Sequence, residues 1–190
     1  MGFIQKKENA VSLDDCAKVI SFIDDNISKF AFNTERKRHM LRFGYDDELP
    51  ELAISDYRII DPIKDSLKNI FASAKDAVVP GMTDKDVYLV SFFLSKHAPG
   101  GGMRPHMDSQ DIDGHNRHLD YTVMTYLNSM GRSGTLSFPI IGKRYSPNAG
   151  EMIAFESKDP TNAHAVDEVS QDRYSIAIWF SKDPKHKIDI

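Results

Sequence analysis

Val87–Ser95 reads VYLVSFFLS, and the rest of the fold hangs on how that stretch is taken. A nearly unbroken apolar and aromatic run of this length suits a strand covered on both faces, whereas a strand with one wet face alternates apolar and polar residues. Downstream the same character returns in short pieces, at Tyr121–Leu127, Thr135–Phe138, Glu151–Phe155, His164–Val166 and Arg173–Phe180, separated by Gly, Pro, Asn and Ser. Many short strands that follow helices, rather than alternate with them, argue against a doubly wound sheet and for a sandwich, barrel or jelly roll.

Upstream of Val87 the period is helical. Between Ser12 and Phe30, Leu13, Cys16, Ile20, Ile23 and Ile27 recur at threes and fours, with Ser12 placed to cap the N-terminus. A second helix is expected to open with Asp61 as cap and Pro62 at its first position. It carries Ile63, Leu67, Ile70, Phe71, Ala74 and Val78 on one face and stops at Pro80-Gly81. Residues 31–60 show no sustained period and read as a loop with one short strand around Met40–Phe43.

With 190 residues and 41% hydrophobic content, a single domain with one buried core is the default. The helical part covers about 1–85 and the β-rich core about 86–182. Net charge is −4 and no basic run is dense enough for a phosphate-neutralising surface, so nucleic acid is not an expected partner. The opening MGFIQKKENAVSLDD has charges where a signal peptide needs an apolar run, and no segment approaches a membrane span, so the expected location is cytoplasmic. Lys6 stands where a myristoylation pattern wants Ser or Thr, and the single cysteine, Cys16, reads as a small buried hydrophobe.

The pattern His-x-Asp occurs twice, as His106-Met107-Asp108 and as His118-Leu119-Asp120. Alternate residues of an extended strand point to one face, so either pair could close on one metal ion. The first copy follows the long strand and the turn Pro99-Gly100-Gly101-Gly102, which holds a site firmly, while the second ends the polar loop Ser109–Asp120. The best remote third ligand is His164, on a short strand among small alanines. Nine residues further on, Arg173 opens the apolar strand RYSIAIWF, where a guanidinium needs an anionic partner. That partner is either one of Asp167, Glu168 and Asp172 or the carboxylate of a bound cosubstrate. His39, His115 and His186 lie in polar segments and are expected at the surface, Lys182–Lys187 reads as a solvated tail, and His118 and Asp120 read as parts of a mobile lid.

Taken in order, His106-x-Asp108, Tyr126-Leu127-Asn128, Gly134-Thr135-Leu136-Ser137-Phe138-Pro139, Pro147 to Phe155, and His164 through Arg173-Tyr174 to Trp179-Phe180 resemble the successive motifs of iron(II)- and 2-oxoglutarate-dependent dioxygenases, in particular the prolyl 4-hydroxylase branch. The resemblance implies an α+β, mainly β chain: a double-stranded β-helix, or jelly roll, with the N-terminal helices packed on one sheet. It also implies that His106, Asp108 and His164 ligate Fe(II) and leave positions open for 2-oxoglutarate and O2, with ascorbate as reductant. Arg173 would pair with the far carboxylate of 2-oxoglutarate, Tyr126 would donate to it, and Trp179, farther along the same strand, would wall the pocket.

By the same resemblance the chemistry is hydroxylation of a C–H bond with release of succinate and CO2, the cofactor carrying the oxidation and the protein the orientation. A prolyl residue of a peptide or protein is the leading substrate. A free amino acid or other small molecule is the runner-up, and a noncatalytic 2-oxoglutarate or iron-binding module is a third possibility. Prolyl hydroxylases usually carry tyrosines flanking the Gly-rich turn; here His97 and Met103 take those places, and the pair before the Phe-Pro motif is Ser133-Gly134, which bears on substrate identity.

Overall fold

In the computed structural model, residues 3–44, 53–54, 56–78, 87–109 and 118–190 are described. In chain order they form β1 (Ile4–Lys7), α1 (Leu13–Asp25), β2 (Ala31–Asn33), β3 (Arg38–Gly44), β4 (Ala53–Ile54), α2 (Lys64–Val78), β5 (Tyr88–His97), β6 (Met103–His106), β7 (Tyr121–Tyr126), β8 (Leu136–Phe138), β9 (Lys143–Tyr145), β10 (Met152–Glu156), β11 (His164–Val166) and β12 (Arg173–Ser181). A larger sheet runs β1-β10-β7-β12-β5-β3-β2 with β4 beside β3, and a smaller one runs β6-β11-β8-β9. Together they make a jelly-roll sandwich with both helices on the outer face of the larger sheet.

The alternation of β12 shows why the layers form. Tyr174, Ile176, Ile178 and Phe180 face the helices and join the main core with Leu67, Ile70 and Ile23. Ala177 and Trp179 face the smaller sheet and pack with Met124, Phe138, Ile153 and Phe155. Both faces are covered, as the apolar run of β5 required, and β5 and β12 pair along their whole length. Arg173 and Ser175 share the inward face with Ala177 and Trp179, so this strand delivers a charge between the sheets.

Several expectations are corrected. Ser12 does cap α1, accepting from the Asp15 amide, but the buried stripe is Cys16, Val19, Phe22 and Ile23. Leu13 is 68% exposed, and the α-helix stops at Asp25, continued only by a 3-10 turn over Ile27–Lys29. The second helix is preceded by a 3-10 turn over Tyr57–Ile63 whose cap is Asp56, with Pro62 inside that turn rather than opening the α-helix. Its expected buried face, from Ile63 to Val78, is as read, while Pro80-Gly81 lies outside the described residues.

Among the described residues of 31–60 the chain is not mainly loop: the strand expected around Met40–Phe43 is β3, which runs Arg38–Gly44, pairs with β5 over its full length, and forms a hairpin with β2. Leu41 and Phe43 face the helices while Arg38, Met40 and Arg42 face inward, so a real strand carries charges where a core strand has aliphatics. The edge strands β1 and β9 were hidden by their lysines and arginine, the residues that blunt a sheet edge. Short β6 was hidden by Arg104 and Pro105.

Candidate metal centre and anion pocket

Because β6 and β11 are antiparallel neighbours, His106 stands opposite His164. Asp108, two residues beyond, turns back so that ligand atoms of all three lie within 4.8 Å of one another, a group that could hold a metal ion. Asp108 Oδ1 is 3.3 Å from His106 Nε2 and Oδ2 is 3.8 Å from His164 Nε2. Each histidine turns its Nδ1 to a backbone carbonyl, His106 to Arg104 at 3.0 Å and His164 to Asn162 at 3.2 Å. A carbonyl only accepts, so Nδ1 carries a proton in both rings and the Nε2 atoms point into the group.

Asp108 is held in turn by the Thr122 hydroxyl, which donates to Oδ2 at 2.8 Å, and the Thr122 oxygen lies 2.7 Å from Ser157 Oγ. Burial opposes the charge of Asp108, but His164, His106 and Thr122 outweigh it and hold the carboxyl well below the usual carboxylate range. Burial pushes His164 down to about 4, against the pull of Asp108, so it is neutral at physiological pH. One carboxylate and two imidazoles gathered at one point are the donor set of a non-haem iron(II) centre with open positions.

The second His-x-Asp copy is elsewhere. Asp120 Oδ1 accepts from Lys158 at 2.8 Å, and Oδ2 accepts from the Lys182 amide at 2.7 Å and from Ser181 at 3.2 Å. Asp120 is thus a clasp between strand ends rather than part of a lid. His118 is exposed and packs near His186, and most of the loop between Ser109 and His118, including His115, lies outside the described residues. His39 is half-buried with its ring 4.6 Å from Phe32, and His186 is half-buried too, so neither is a free surface histidine. Cys16 is a buried free thiol, as expected.

Arg173 is completely buried. Its Nη1 reaches Ser175 Oγ at 3.2 Å and His97 Nδ1 at 3.4 Å, while Nε and Nη2 have no hydrogen-bond partner among the described residues. The acidic residues nearest in sequence are engaged otherwise, Asp167 with Arg144 and Asp172 with Lys96, and Glu168 makes no ion pair with Arg173. Tyr126 lies beside it, the guanidinium carbon 5.1 Å from the ring centroid, and the phenol oxygen makes no hydrogen bond of ordinary geometry among the described residues. Burial pushes the phenol up to about 12 in spite of Arg173, so the hydroxyl stays protonated and able to donate.

A buried cation beside unpartnered donors is costly unless an anion arrives, and a carboxylate fits the guanidinium fork. Gly134 contributes through its absent side chain: at φ +59°, a Cβ there would meet the Arg173 Cδ at 3.1 Å. Trp179 is buried on the same inward face, edge-on to Phe93 at 4.4 Å. It stands opposite Thr122 in the sheet, at the Asp108 end of the interior rather than beside Arg173.

Arg38 escaped the sequence, and His97 was legible there only as a departure from the usual tyrosine. Arg38, His97 and Arg173 stand side by side across β3, β5 and β12. Burial, helped by Arg173, Arg38 and Arg36, pushes His97 down to about 2, so it is neutral. Its Nδ1 faces the Arg173 donor and must accept, which leaves Nε2 carrying the proton, without a partner among the described residues. The signal for Arg38 was present in the alternation Arg38, Met40, Arg42 against Leu41 and Phe43, legible only once that segment is read as a strand.

A jelly roll with a two-histidine, one-carboxylate group and an anion pocket between its sheets is the scaffold of a non-haem oxygenase. Residues 92–181 match the family model of the 2OG-Fe(II) oxygenase superfamily, and the fold is prolyl hydroxylase-like. Iron(II), 2-oxoglutarate and O2 are the cofactor and cosubstrates this class implies.

Among solved structures, the viral collagen prolyl hydroxylase vCPH from Paramecium Bursaria Chlorella virus-1, in its 2OG complex, is 18% identical with a TM-score of 0.62, covering 98% of this chain and 97% of that one. A Pseudomonas putida prolyl-4-hydroxylase is 16% identical with a TM-score of 0.65, covering 96% and 94%. A Trichoplax adhaerens prolyl hydroxylase, in complex with a hypoxia inducible factor oxygen degradation domain peptide fragment, is 18% identical with a TM-score of 0.63, covering 94% and 83%. No curated protein matches the chain.

Proposed function

We propose that this oxygenase hydroxylates a prolyl residue in a peptide or protein, with His106, Asp108 and His164 as the iron ligands. The observation that carries the substrate class is an open cleft of about 420 Å³ walled by Arg36, Gly101, Met103, Arg104 and His106. One of its walls is a proposed metal ligand, so an extended chain lying in the cleft would present a side chain to the metal without threading into a closed pocket. The complex of the Trichoplax relative with a peptide supports the same reading.

Bound iron and 2-oxoglutarate supply the oxidation, turning 2-oxoglutarate and O2 into succinate and CO2 as a C–H bond of the substrate becomes C–OH. The chain does the placing. Arg173 and the Tyr126 hydroxyl hold the far carboxylate of 2-oxoglutarate, and Thr122 fixes the Asp108 carboxylate. Trp179, with Phe93 and Phe155, walls the interior against water. Ascorbate as reductant and a cytoplasmic location complete the proposal.

The test is mass spectrometry of proline-containing peptides and of a free amino acid panel, incubated with the enzyme, iron(II), 2-oxoglutarate and ascorbate. The expected result is one added oxygen on a prolyl residue with matching succinate. Oxygen added only to free amino acids would overturn the peptide substrate, and succinate formation with and without ascorbate measures the reductant.

A further inference from the structure

Arg38 lies on the inward face of β3, only 9% exposed. Among the described residues its Nε has no hydrogen-bond partner and it makes no ion pair with any carboxylate. Its Nη1 rests 3.8 Å from the sulfur of Met103, and Arg36 Nη1 approaches that same sulfur at 3.5 Å. A thioether is a weak acceptor, so two guanidinium groups turned onto one sulfur occupy the place of a better partner. Burial pushes Arg38 down to about 9, with Arg36, Arg42 and Arg173 adding to the cost and Asp108 giving the main relief.

The cosubstrate does not supply the missing anion. In the proposed site the charges of iron(II) and Arg173 are matched by Asp108 and the two carboxylates of 2-oxoglutarate, which leaves Arg38 over. Met103 and Arg36 both line the cleft assigned to the substrate, so Arg38 sits behind its inner wall, reached by a shift of one flexible side chain. Next to it, the His97 Nε2–H is a second buried donor without a partner.

We infer that Arg38, with Arg36 at the rim, is a specificity-determining seat for a carboxylate of the substrate, so that the enzyme selects substrates bearing an acid close to the carbon hydroxylated. That carboxylate belongs either to an acidic side chain or to a free chain end. The inference rests on the proposed cleft for its location, but its chemistry is tested separately.

Probes come in acid and amide pairs: peptides with Pro-Asp against Pro-Asn, the same peptides with a free or amidated C-terminus, and free amino acids against their amides. Binding to enzyme loaded with Mn(II) and 2-oxoglutarate is read by the fluorescence of Trp179, the single tryptophan of the chain. Products are read by mass spectrometry on the iron enzyme.

The acid member of at least one pair should bind roughly ten- to a hundredfold tighter than its amide, the usual range for a charge-assisted hydrogen bond. Arg38→Ala should erase that preference while 2-oxoglutarate binds within about threefold of its original strength, well inside the loss of a charge-assisted pair. Arg38→Lys, which keeps the charge and stem should alanine fail to fold, should keep part of the preference. No acid preference in any pair, a preference that survives Arg38→Ala, or a loss of 2-oxoglutarate binding equal to that of Arg173→Ala would each overturn the inference. Acid preference without hydroxyproline retains the seat and refutes the prolyl substrate; hydroxyproline without acid preference does the reverse.

Discussion

Asp108 and Asp120 each follow a histidine by two residues, and the folded chain gives them different work. Asp108 meets His106 and His164 with the Thr122 hydroxyl behind it. Asp120 meets a lysine, a serine and a backbone amide. Asp108→Ala should therefore lose iron and abolish succinate formation, because two histidines hold a labile divalent ion poorly. Asp120→Ala should keep its iron; metal analysis of the two purified variants decides, and the reverse pattern refutes the ligand assignment. Arg173 stands apart from the triad, with two nitrogens that have no partner among the described residues. Arg173→Ala should raise the 2-oxoglutarate concentration needed for turnover by about 1.5–3 kcal/mol, roughly ten- to a hundredfold, with iron content unchanged, and Tyr126→Phe should act more mildly. Equal loss of metal and cosubstrate binding would count against it.

At the level of elements, Asp120 fastens the start of β7 to the end of β12 and to the Lys158 turn after β10. Burial works against its charge, but Lys158, the Lys182 amide and Ser181 outweigh it and hold the carboxyl below its ordinary 3.8. A depressed folded-state pKa contributes stability that is present above the unfolded value and lost as pH falls through the folded one. Asp120→Asn should cost about 1.5 kcal/mol at neutral pH, and the gap between variant and original should close below about pH 4. Denaturant titrations at pH 7 and pH 3 measure it; a gap that widens in acid would show that the clasp is not electrostatic. The edge strands and β3 show the opposite side of legibility. Their lysines and arginines carry no apolar alternation, because those positions face solvent or the site rather than a core.

For the whole molecule, the buried arginines tie stability to the binding of an anion. Arg173 and Arg38 are held between the sheets without an ion-pair partner among the described residues, and an unpaired buried charge destabilises the state that contains it. Ligand that binds only the folded chain adds about 2.7 kcal/mol at a hundred times its dissociation constant. For a chain of this size, metal with 2-oxoglutarate should then raise Tm by roughly 5–10 °C. Thermal unfolding with and without both ligands tests this, and Arg173→Ala should remove most of the 2-oxoglutarate share. An unchanged Tm in the original protein would argue that the pocket takes no dicarboxylate.

The sequence by itself determined the two helices, the run of strands that follows the second of them, the doubly covered strands β5 and β12, and the motifs whose resemblance names the oxygenase class, because each of these is written in local period or in contiguous residues. The grouping of His106, Asp108 and His164 was legible through that resemblance, and the structure brings their ligand atoms together. Tertiary structure alone decided the work of Asp120, the length of β3, and the row of Arg38, His97 and Arg173. These depend on which strands lie side by side, and strands nearly eighty residues apart in sequence become neighbours only when the sheet closes. An arginine on an unrecognised strand looks like surface; its meaning as a seat for an anion appears once the strand is paired and its inward face is known.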